Sequence, residues 1–301
     1  MKRIMKRKYL FAFAAGILLM GCNRTDKLSD AYGNFEVDDV IVSSEVSGKL
    51  LQFDLSEGDQ LKVGEQVGLV DTTQLYLKKE QLEAQKASIR SKMASVQTQI
   101  AVVKQQRANA EVDKHRVTKM LADSAATQKQ MDDINGQIDV FDKQIANIRT
   151  QEVSLKKEID VVNAQVAQIE DQLGKCHITA PISGTVLEKY KEMGELVAPG
   201  QSLFKIADLS YLNLKIYISG AQLAHVKLGQ KVTVLIDNSK TTDTKLTGTI
   251  IWISSEAEFT PKIIQTKEER VKLVYAVKVK VPNDGSLKIG MPGEVRFNQS
   301  N

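Results

Sequence analysis

Proline is missing from the middle of this chain, and aromatic residues are scarce throughout. The 301 residues include five prolines, none between Gln74 and Leu173, where Gly136 is the one residue that commonly interrupts a helix. Aromatic side chains, which supply much of a globular core, make up only 5% of the chain. A long stretch rich in Lys, Gln, Glu, Ala and isolated aliphatic residues is typical of exposed helices, so the composition favours an elongated protein over two compact globular domains.

Cysteine is equally rare, and the position of one of the two cysteines indicates an exported lipoprotein. Residues 1–21 carry five basic side chains and an apolar run at 9–20, which is too short to span a bilayer and is typical of a signal peptide. Leu19-Met20-Gly21-Cys22 resembles a bacterial lipobox, in which the cysteine thiol receives a diacylglycerol. We therefore predict cleavage after residue 21 and lipidation of Cys22. The simpler alternative is that Cys22 only ends an ordinary signal sequence.

Removing the signal peptide changes the charge of the protein. The formal charge of +4 includes the five basic residues of the signal peptide, so the mature chain carries about −1. That balance does not predict binding to nucleic acid. Cys176 is then the single remaining thiol, which excludes an intramolecular disulfide bond and favours a buried position.

Sequence signatures of catalysis are also missing. The three histidines, His115, His177 and His225, have no carboxylate or thiol at the spacing of metal ligands. The chain has no P-loop, nucleophile elbow or zinc motif. We therefore predict a protein without catalytic activity, bound metal or cofactor.

Aliphatic residues recur at heptad spacing through the proline-free stretch. In its second half they alternate by three and four residues for six heptads, with one polar exception, Glu152. This seam consists of Met131, Ile134, Ile138, Phe141, Ile145, Ile148, Glu152, Leu155, Ile159, Val162, Val166, Ile169 and Leu173. The first half has Leu75, Leu82, Ile89, Val96 and Val103 at strict sevens. Its seam is weaker, because Lys79, Lys86, Arg107 and Lys114 occupy alternate positions.

A short polar segment at 122–127 separates the two seams, and Thr127 is suited to cap the second helix. We predict an antiparallel coiled-coil hairpin over residues 73–174, with its tip near 122–127. Each arm would be about 70 Å long at 1.5 Å per residue. The alternative is one continuous helix in a parallel coiled-coil dimer.

The segments before and after the predicted hairpin share one pattern of glycine and aliphatic residues. The matched glycines, each pair 136 residues apart, are Gly48 and Gly184, Gly58 and Gly194, and Gly64 and Gly200. The repetition predicts two halves of one pseudo-symmetric β-unit. We expect the glycines at turns that need a positive φ or a close approach of the backbone.

After residue 209 the pattern changes to that of strands, in which apolar and polar residues alternate. Leu212, Leu214 and Ile216 alternate with polar residues, and Val277 and Val279 alternate with lysines. This period of two predicts a half-exposed antiparallel sheet.

The sequences that flank the hairpin resemble the split biotinyl-lipoyl domain of HlyD-type membrane fusion proteins, the periplasmic adaptor family. They are VSG at 46–48, EGDQLKVGEQV at 57–67, APISGTV at 180–186 and GELVAPGQ at 194–201. The resemblance implies an elongated α+β fold with a split lipoyl-like β-sandwich over 36–72 and 175–209, the coiled-coil hairpin over 73–174, and a β-barrel over 210–298. Residues 22–35 would be a lipidated linker. True lipoyl domains carry a cofactor on a lysine between their halves, but here the hairpin occupies that place, which argues against a carrier function.

The predicted tip resembles the arginine, leucine and serine signature with which such adaptors meet an outer-membrane TolC-like channel. Arg116 stands at the arginine position, Met120 and Thr127 replace leucine and serine, and Leu121 lies beside them. Both replacements are mild, because methionine stays apolar and threonine keeps the hydroxyl. The alternatives are a solvated helix charge for Arg116 and a plain helix cap for Thr127.

The resemblance also implies a function and partners. It implies a periplasmic adaptor of a Gram-negative bacterium that is lipid-anchored to the inner membrane, forms a homo-oligomeric ring, and links an inner-membrane transporter to a TolC-like channel. Residues 257–270 are similar to a loop of adaptors that work with ABC transporters, which favours an ABC partner. The alternatives are an adaptor of a proton-driven RND pump and a coiled-coil envelope lipoprotein without a role in transport.

Overall fold

The computed structural model describes residues 29–239, 242–259 and 273–297. The predicted signal peptide and Cys22 therefore lie outside the described residues. The chain divides into two compact units, one made of Val40–Ala207 and the other of the described residues before and after that span.

The first strand is β1 (Ala31–Glu36). Four further strands precede the helices: β2 (Asp39–Ser43), β3 (Gly48–Phe53), β4 (Gln60–Leu61) and β5 (Gln66–Val70). The long helices are α1 (Thr73–Ala122) and α2 (Gln128–Lys175). The next strands are β6 (His177–Thr179), β7 (Gly184–Lys189), β8 (Leu196–Val197) and β9 (Ser202–Ala207). The remaining elements are β10 (Tyr211–Ser219), α3 (Gly220–Leu223), β11 (Lys231–Ser239), β12 (Thr242–Ile253), β13 (Glu258–Phe259), β14 (Leu273–Pro282) and β15 (Pro292–Phe297).

Strands β2–β9 form two four-stranded sheets, which together we call the duplicated β-unit. The strand orders are β2-β9-β7-β4 and β6-β5-β3-β8. Each sheet therefore takes two strands from the segment before the helices and two from the segment after them. The predicted β-sandwich is present, but the sequence does not predict this exchange of strands, because a repeat in a sequence does not show which copies pair.

The core of the duplicated β-unit is built from both halves. Leu50, Val70 and Ile206 are fully buried, and Cys176 is buried with them at the end of α2. The Cys176 thiol donates to the Gln172 carbonyl at 3.3 Å. Burial raises the pKa of this thiol, so it behaves as a small apolar side chain.

Helices α1 and α2 form the predicted antiparallel hairpin, which excludes a single continuous helix. All thirteen predicted seam residues of α2 are buried or partly buried, and so are the aliphatic residues predicted for α1. Lys79, Lys86, Arg107 and Lys114 also lie partly buried at the seam of α1, as their spacing indicates.

The strands outside the duplicated β-unit form a seven-stranded sheet in the order β10-β1-β15-β11-β12-β14-β13. Because β10 pairs with both β1 and β14, the described part of this sheet closes on itself as a barrel. The alternating residues predicted to face inward, among them Leu214, Ile216, Val277 and Val279, form its core.

The structure differs from the sequence interpretation at the amino-terminal edge of the barrel. The sequence resemblance implies a linker over residues 22–35 and a lipoyl-like unit that begins at residue 36. Instead Ala31–Glu36 is a strand of the barrel sheet, where Phe35 is buried and Asn34 pairs with both Lys215 and Pro292. A six-residue strand whose partners lie far along the chain carries no pattern that would reveal them.

Candidate functional site

The turns of the duplicated β-unit are joined by two matching sets of backbone hydrogen bonds. The Gly58 amide donates to the Val186 carbonyl at 2.9 Å, and the Gly194 amide donates to the Leu50 carbonyl at 2.8 Å. Adding 136 to the numbers of Gly58 and Leu50 gives Gly194 and Val186, so the two bonds are equivalent. The bonds from Gly64 to Ala180 and from Gly200 to Ser44, both 2.8 Å, are related in the same way. The repetition in the sequence is therefore a repetition in geometry.

Four of the six predicted glycines occupy the turn conformation that glycine favours. Their φ angles are +94° at Gly58, +79° at Gly64, +94° at Gly194 and +84° at Gly200. Each is the third residue of a four-residue turn, as in Ser56–Asp59, where the Asp59 amide donates to the Ser56 carbonyl at 3.2 Å.

The other two predicted glycines, Gly48 and Gly184, are not in such turns. Each is the first residue of a strand, β3 and β7 respectively. At Gly48 a Cβ atom would lie 2.6 Å from the Val70 side chain, so close packing is the constraint at that position.

The residue after each turn glycine completes the turn, a role that was missed at the level of sequence. The Asp59 carboxylate accepts from the Ser56 amide at 2.7 Å, and the Glu195 carboxylate accepts from the Glu192 amide at 3.0 Å. Glu65 and Gln201 accept in the same way from the amides three residues before them, at 2.8 and 3.1 Å. The sequence signal for these side-chain hydrogen bonds is an acidic or amide residue directly after each of the four turn glycines.

The symmetry of the core is broken at positions 68 and 204, which are equivalent under the offset of 136 residues. Position 204 is a buried phenylalanine, whereas its counterpart 136 residues earlier is Gly68. A Cβ atom on Gly68 would lie 2.8 Å from the Phe53 ring. The Phe53 ring, which packs against Phe204 at a centroid distance of 6.2 Å, leaves no room at Gly68 together with Ile178.

Polar pairs across the hairpin define a single register. Lys79 contacts Glu170 at 2.7 Å, Gln97 contacts Glu152 at 3.4 Å, and Arg107 contacts Asp142 at 2.6 Å. In each pair the two residue numbers add to 249, so the helices pair without slippage over the length that these contacts span. Between residues 79–107 of α1 and 142–170 of α2, residues whose numbers add to 249 therefore lie at the same height along the hairpin.

These contacts shift the pKa values of the groups involved. The hydrogen bond and charge of Lys79 lower the pKa of Glu170, and Glu170 in turn raises the pKa of Lys79. The hydrogen bond that Arg107 donates to the Asp142 carboxylate likewise raises the pKa of Arg107. Two of the basic residues that weaken the apolar seam of α1, Lys79 and Arg107, thus have acidic partners on α2.

The hairpin tip is a compact, capped turn. Ser124 has φ = +58°, and the Ala125 amide donates to the Met120 carbonyl at 2.8 Å, the pattern of a Schellman motif. Thr127 caps α2, because its hydroxyl accepts from the Gln130 amide at 3.3 Å while the Gln130 side chain accepts from the Thr127 amide at 2.8 Å.

The structure places the four predicted tip residues within the last two turns of α1 and at the start of α2. Arg116 is exposed and pairs with Asp113 of its own helix at 2.9 Å. Met120 is 39% exposed, and Leu121 is partly buried at the end of the seam. Thr127 is exposed and acts as the predicted cap. An apolar side chain, a guanidinium and a hydroxyl are thus offered to solvent at one end of the hairpin.

No group of three or more His, Cys, Asp or Glu side chains in the described ranges is arranged to hold a metal ion. His177 Nδ1 lies 3.1 Å from Gln66 Oε1, a contact between two strands of the β-unit. Within the same ranges, no helix combines the length and apolarity that crossing a membrane requires.

Solved structures, among them that of a membrane fusion protein, share this fold. MacA from Actinobacillus actinomycetemcomitans is similar with a TM-score of 0.57 and 24% identity, over 89% of this chain and 78% of MacA. The membrane fusion protein Spr0693 from Streptococcus pneumoniae R6 is similar with a TM-score of 0.53 and 18% identity, over 90% of this chain and 98% of Spr0693. At these identities the likeness concerns the fold alone.

A family model described as RND MFP, barrel-sandwich hybrid domain, matches residues 38–209. The match spans more than half of the chain, and the chain therefore belongs to this family of membrane fusion proteins. Among curated proteins it is similar to a UPF0194 membrane protein of Yersinia enterocolitica, with 26% identity over 293 residues and 89% of each chain covered. A UPF0194 membrane protein of Acidithiobacillus ferridurans is 24% identical over 297 residues, which cover 90% of this chain and 87% of that one.

Proposed function

We propose that this chain is the periplasmic adaptor of a tripartite export pump. In this role it links an inner-membrane transporter to an outer-membrane TolC-like channel, as a scaffold and seal without catalysis. The observation that carries the proposal is the duplicated β-unit, whose matched turns frame a helical hairpin inserted between its two halves. A lipoprotein that only braced the envelope would need a coiled coil but not this paired set of turns.

The hairpin tip is the proposed contact with the channel. Met120 would insert an apolar knob, with Leu121 behind it, while Arg116 and Thr127 would supply polar contacts. Support comes from their grouping at one end of the hairpin and from the resemblance of their spacing to the adaptor signature. Thr127 also caps α2, so its hydroxyl has a structural role independent of any partner.

The proposed position in the envelope is periplasmic, with a lipid anchor at Cys22 in the inner membrane. Several copies would assemble into a ring, and the barrel would face the transporter. Cys22 lies outside the described residues, so the lipobox at 19–22 is the support for the anchor. Placement among HlyD-type adaptors in particular rests on the matching stretches at 46–67 and 180–201.

Two classes of transporter have specific support. An ABC transporter is favoured by the similarity of residues 257–270 to a loop of ABC adaptors, although 260–270 lie outside the described residues. An RND permease is favoured by the family model, whose description names RND. The class of transporter recovered with the chain decides between them.

The proposal is tested by photo-crosslinking in membranes. A photoreactive residue at Thr127 should capture a TolC-like channel, and one at Lys227, an exposed residue of the barrel, should capture the transporter. Gln165, exposed on α2 ten residues before its end, is the matched control and should capture neither. Recovery of only envelope polymers or copies of this chain from Thr127 and Lys227 would refute the adaptor function and favour the envelope lipoprotein.

A further inference from the structure

One end of the barrel is covered by the segment that follows β10. Leu223 of α3 and Val226 just after it pack against the barrel core. The Gln222 side chain donates to the Asp30 carbonyl at 2.7 Å, which ties the segment to the residue before β1. Because its apolar side chains are fixed in the core, the polar side of the segment, with the exposed Lys227, is fixed toward solvent.

The segment ends in a tight turn that exposes a leucine. In the turn Lys227–Gln230 the last amide donates to the first carbonyl at 3.2 Å, and Gly229 has φ = +80°. The Gln230 side chain accepts from the Lys227 amide at 3.0 Å, the same brace as in the turns of the duplicated β-unit. Leu228, the second residue of the turn, is 66% exposed. A braced turn therefore holds this leucine in solvent.

Two further apolar side chains lie next to Leu228. The Gly229 amide donates to the Ile250 carbonyl at 2.8 Å, which places the turn against the end of β12. A β-bulge between Ile250 and Trp252 puts both Ile251 and Trp252 on the outside of the barrel, where they are 45% and 42% exposed. Single apolar residues on a surface are ordinary, but these three are neighbours. We call Leu228, Ile251 and Trp252 the apolar corner.

Basic residues surround the apolar corner. Between residues 209 and 236 the chain has three lysines, one histidine and no acidic residue. Lys227 and Lys231 are exposed on either side of Leu228, and Lys278 pairs with Trp252 across the strands. Glu256, on the turn after β12, is an exposed acidic residue at the same end. Exposed Leu, Ile and Trp flanked by lysines are typical of surfaces that lie at a membrane interface.

The chain also leads from this end of the barrel to the proposed lipid anchor. β1 begins at Ala31 on the same end as the apolar corner, because Tyr32 pairs with Tyr217 near the end of β10. Ser29, the first described residue, is seven residues after Cys22 in the sequence. Seven extended residues span at most about 25 Å. A lipid on Cys22 would therefore keep this end of the barrel within about 25 Å of the bilayer.

We propose that the apolar corner rests on the surface of the membrane that holds the lipid anchor. Leu228, Ile251 and Trp252 lie among the lipid headgroups, and Lys227 and Lys231 lie beside anionic lipids. The anchor keeps the corner at a high local concentration near the lipid, so a contact of this small size is sufficient. The proposal rests on the lipidation of Cys22 in the proposed function. A transporter in the same bilayer lies beside this surface, so the photoreactive residue at Lys227 keeps its expected partner.

Trp252 is the probe for the test, because it is the single tryptophan of the chain. The mature lipidated chain is reconstituted in vesicles that contain anionic phosphatidylglycerol and lipids brominated near the headgroup end of their acyl chains. Bromine quenches tryptophan only at short range, so the fluorescence of Trp252 should be lower than in vesicles without bromine. No quenching, including that of a chain that does not associate with the vesicles, would overturn the proposal. Quenching should be weaker when neutral lipid replaces phosphatidylglycerol, and equal quenching would contradict the contribution of the lysines.

Aspartate substitutions at two similar turns locate the contact. Leu228→Asp should reduce the quenching, because a carboxylate is repelled by anionic lipid. The matched control is Ile289→Asp, at a residue that is 49% exposed in the turn Lys288–Met291, which has φ = +81° at Gly290. That turn lies at the opposite end of the barrel, where the Gly290 amide donates to the Phe35 carbonyl at 2.7 Å. Quenching should be unchanged in the control, and an equal loss in both variants would overturn the proposed location.

A protein partner at the apolar corner would give a different result. If Leu228→Asp left the quenching unchanged but lowered the amount of transporter isolated with the channel, the corner would be a transporter contact and the membrane proposal would be wrong. Quenching that depends on Leu228, without capture of a channel or a transporter by photo-crosslinking, would keep the membrane contact and reject the adaptor function.

Discussion

Replacing Gly58 by alanine should destabilise the duplicated β-unit, and the same change at Gly194 should cost an equal amount. Both residues have φ = +94°. An alanine in the left-handed region costs about 1–2 kcal/mol, and the reduced entropy of the unfolded chain returns about 0.4–1 kcal/mol. We therefore expect a net loss of about 1 kcal/mol for each variant.

Steric contacts of the added Cβ atom do not change the expected loss of stability. A Cβ atom at Gly58 would meet nothing within 4 Å, and one at Gly194 would meet only the Lys49 side chain, at 3.9 Å. Gly136 is the matched control, because it lies inside α2 with nothing within 4 Å of its Cβ position. Gly136→Ala should stabilise the hairpin by about 0.5–1 kcal/mol.

The measurement is urea unfolding of the purified mature chain, with hydrogen exchange in β3 and β7 reporting on the β-unit. Losses at Gly58 and Gly194 that agree within about 0.5 kcal/mol would show that the halves are equivalent in energy as well as geometry. If neither Gly58→Ala nor Gly194→Ala changed the free energy of unfolding, the positive φ at these turns would be contradicted. Losses that differ by more than about 1 kcal/mol would contradict the equivalence.

Three further predictions concern the hairpin. Ser124→Gly should raise its stability by about 1 kcal/mol in thermal unfolding, because Ser124 is a non-glycine residue with φ = +58°; an unchanged melting temperature would contradict that conformation. Thr127→Ala should lower stability by about 1 kcal/mol because it removes the cap on α2, and Thr127→Ser should keep it. Since the pKa of Glu170 is lowered in the folded chain, its pairing with Lys79 stabilises the hairpin above its ordinary pKa of 4.5 and is lost as the pH falls through the lower folded value. The melting temperature of the Glu170→Gln variant should therefore fall less between neutral and acidic pH than that of the unchanged chain. If both proteins showed the same dependence of melting temperature on pH, the Lys79–Glu170 pair would be excluded as a source of the destabilisation in acid.

The parts of the fold that could be predicted are those encoded by local periodicity. The heptad seam of α2 predicted its buried side, because burial in a hairpin follows the same spacing as the sequence. The repeat of 136 residues predicted equivalent turns, because a positive φ confines those positions largely to glycine. The alternation after residue 209 predicted the inward-facing residues of the barrel.

What could not be predicted depends on contacts between distant segments. β1 belongs to the barrel because it pairs with β10 and β15, and nothing in its six residues identifies those partners. The exchange of strands between the two halves of the β-unit is invisible for the same reason. At the tip, the sequence placed Arg116 and Thr127 correctly along the helices, but only coordinates show Arg116 paired with Asp113 of its own helix.

The most direct test of the adaptor function is a bridging experiment. The outer-membrane channel is tagged and isolated from membranes of cells that contain or lack this chain, and the inner-membrane transporter is measured in the isolate. We predict that the transporter is recovered only when the chain is present, and that Met120→Asp in the exposed tip abolishes recovery while leaving the amount of chain unchanged. Recovery of the transporter without the chain, or no recovery with it, would contradict the account.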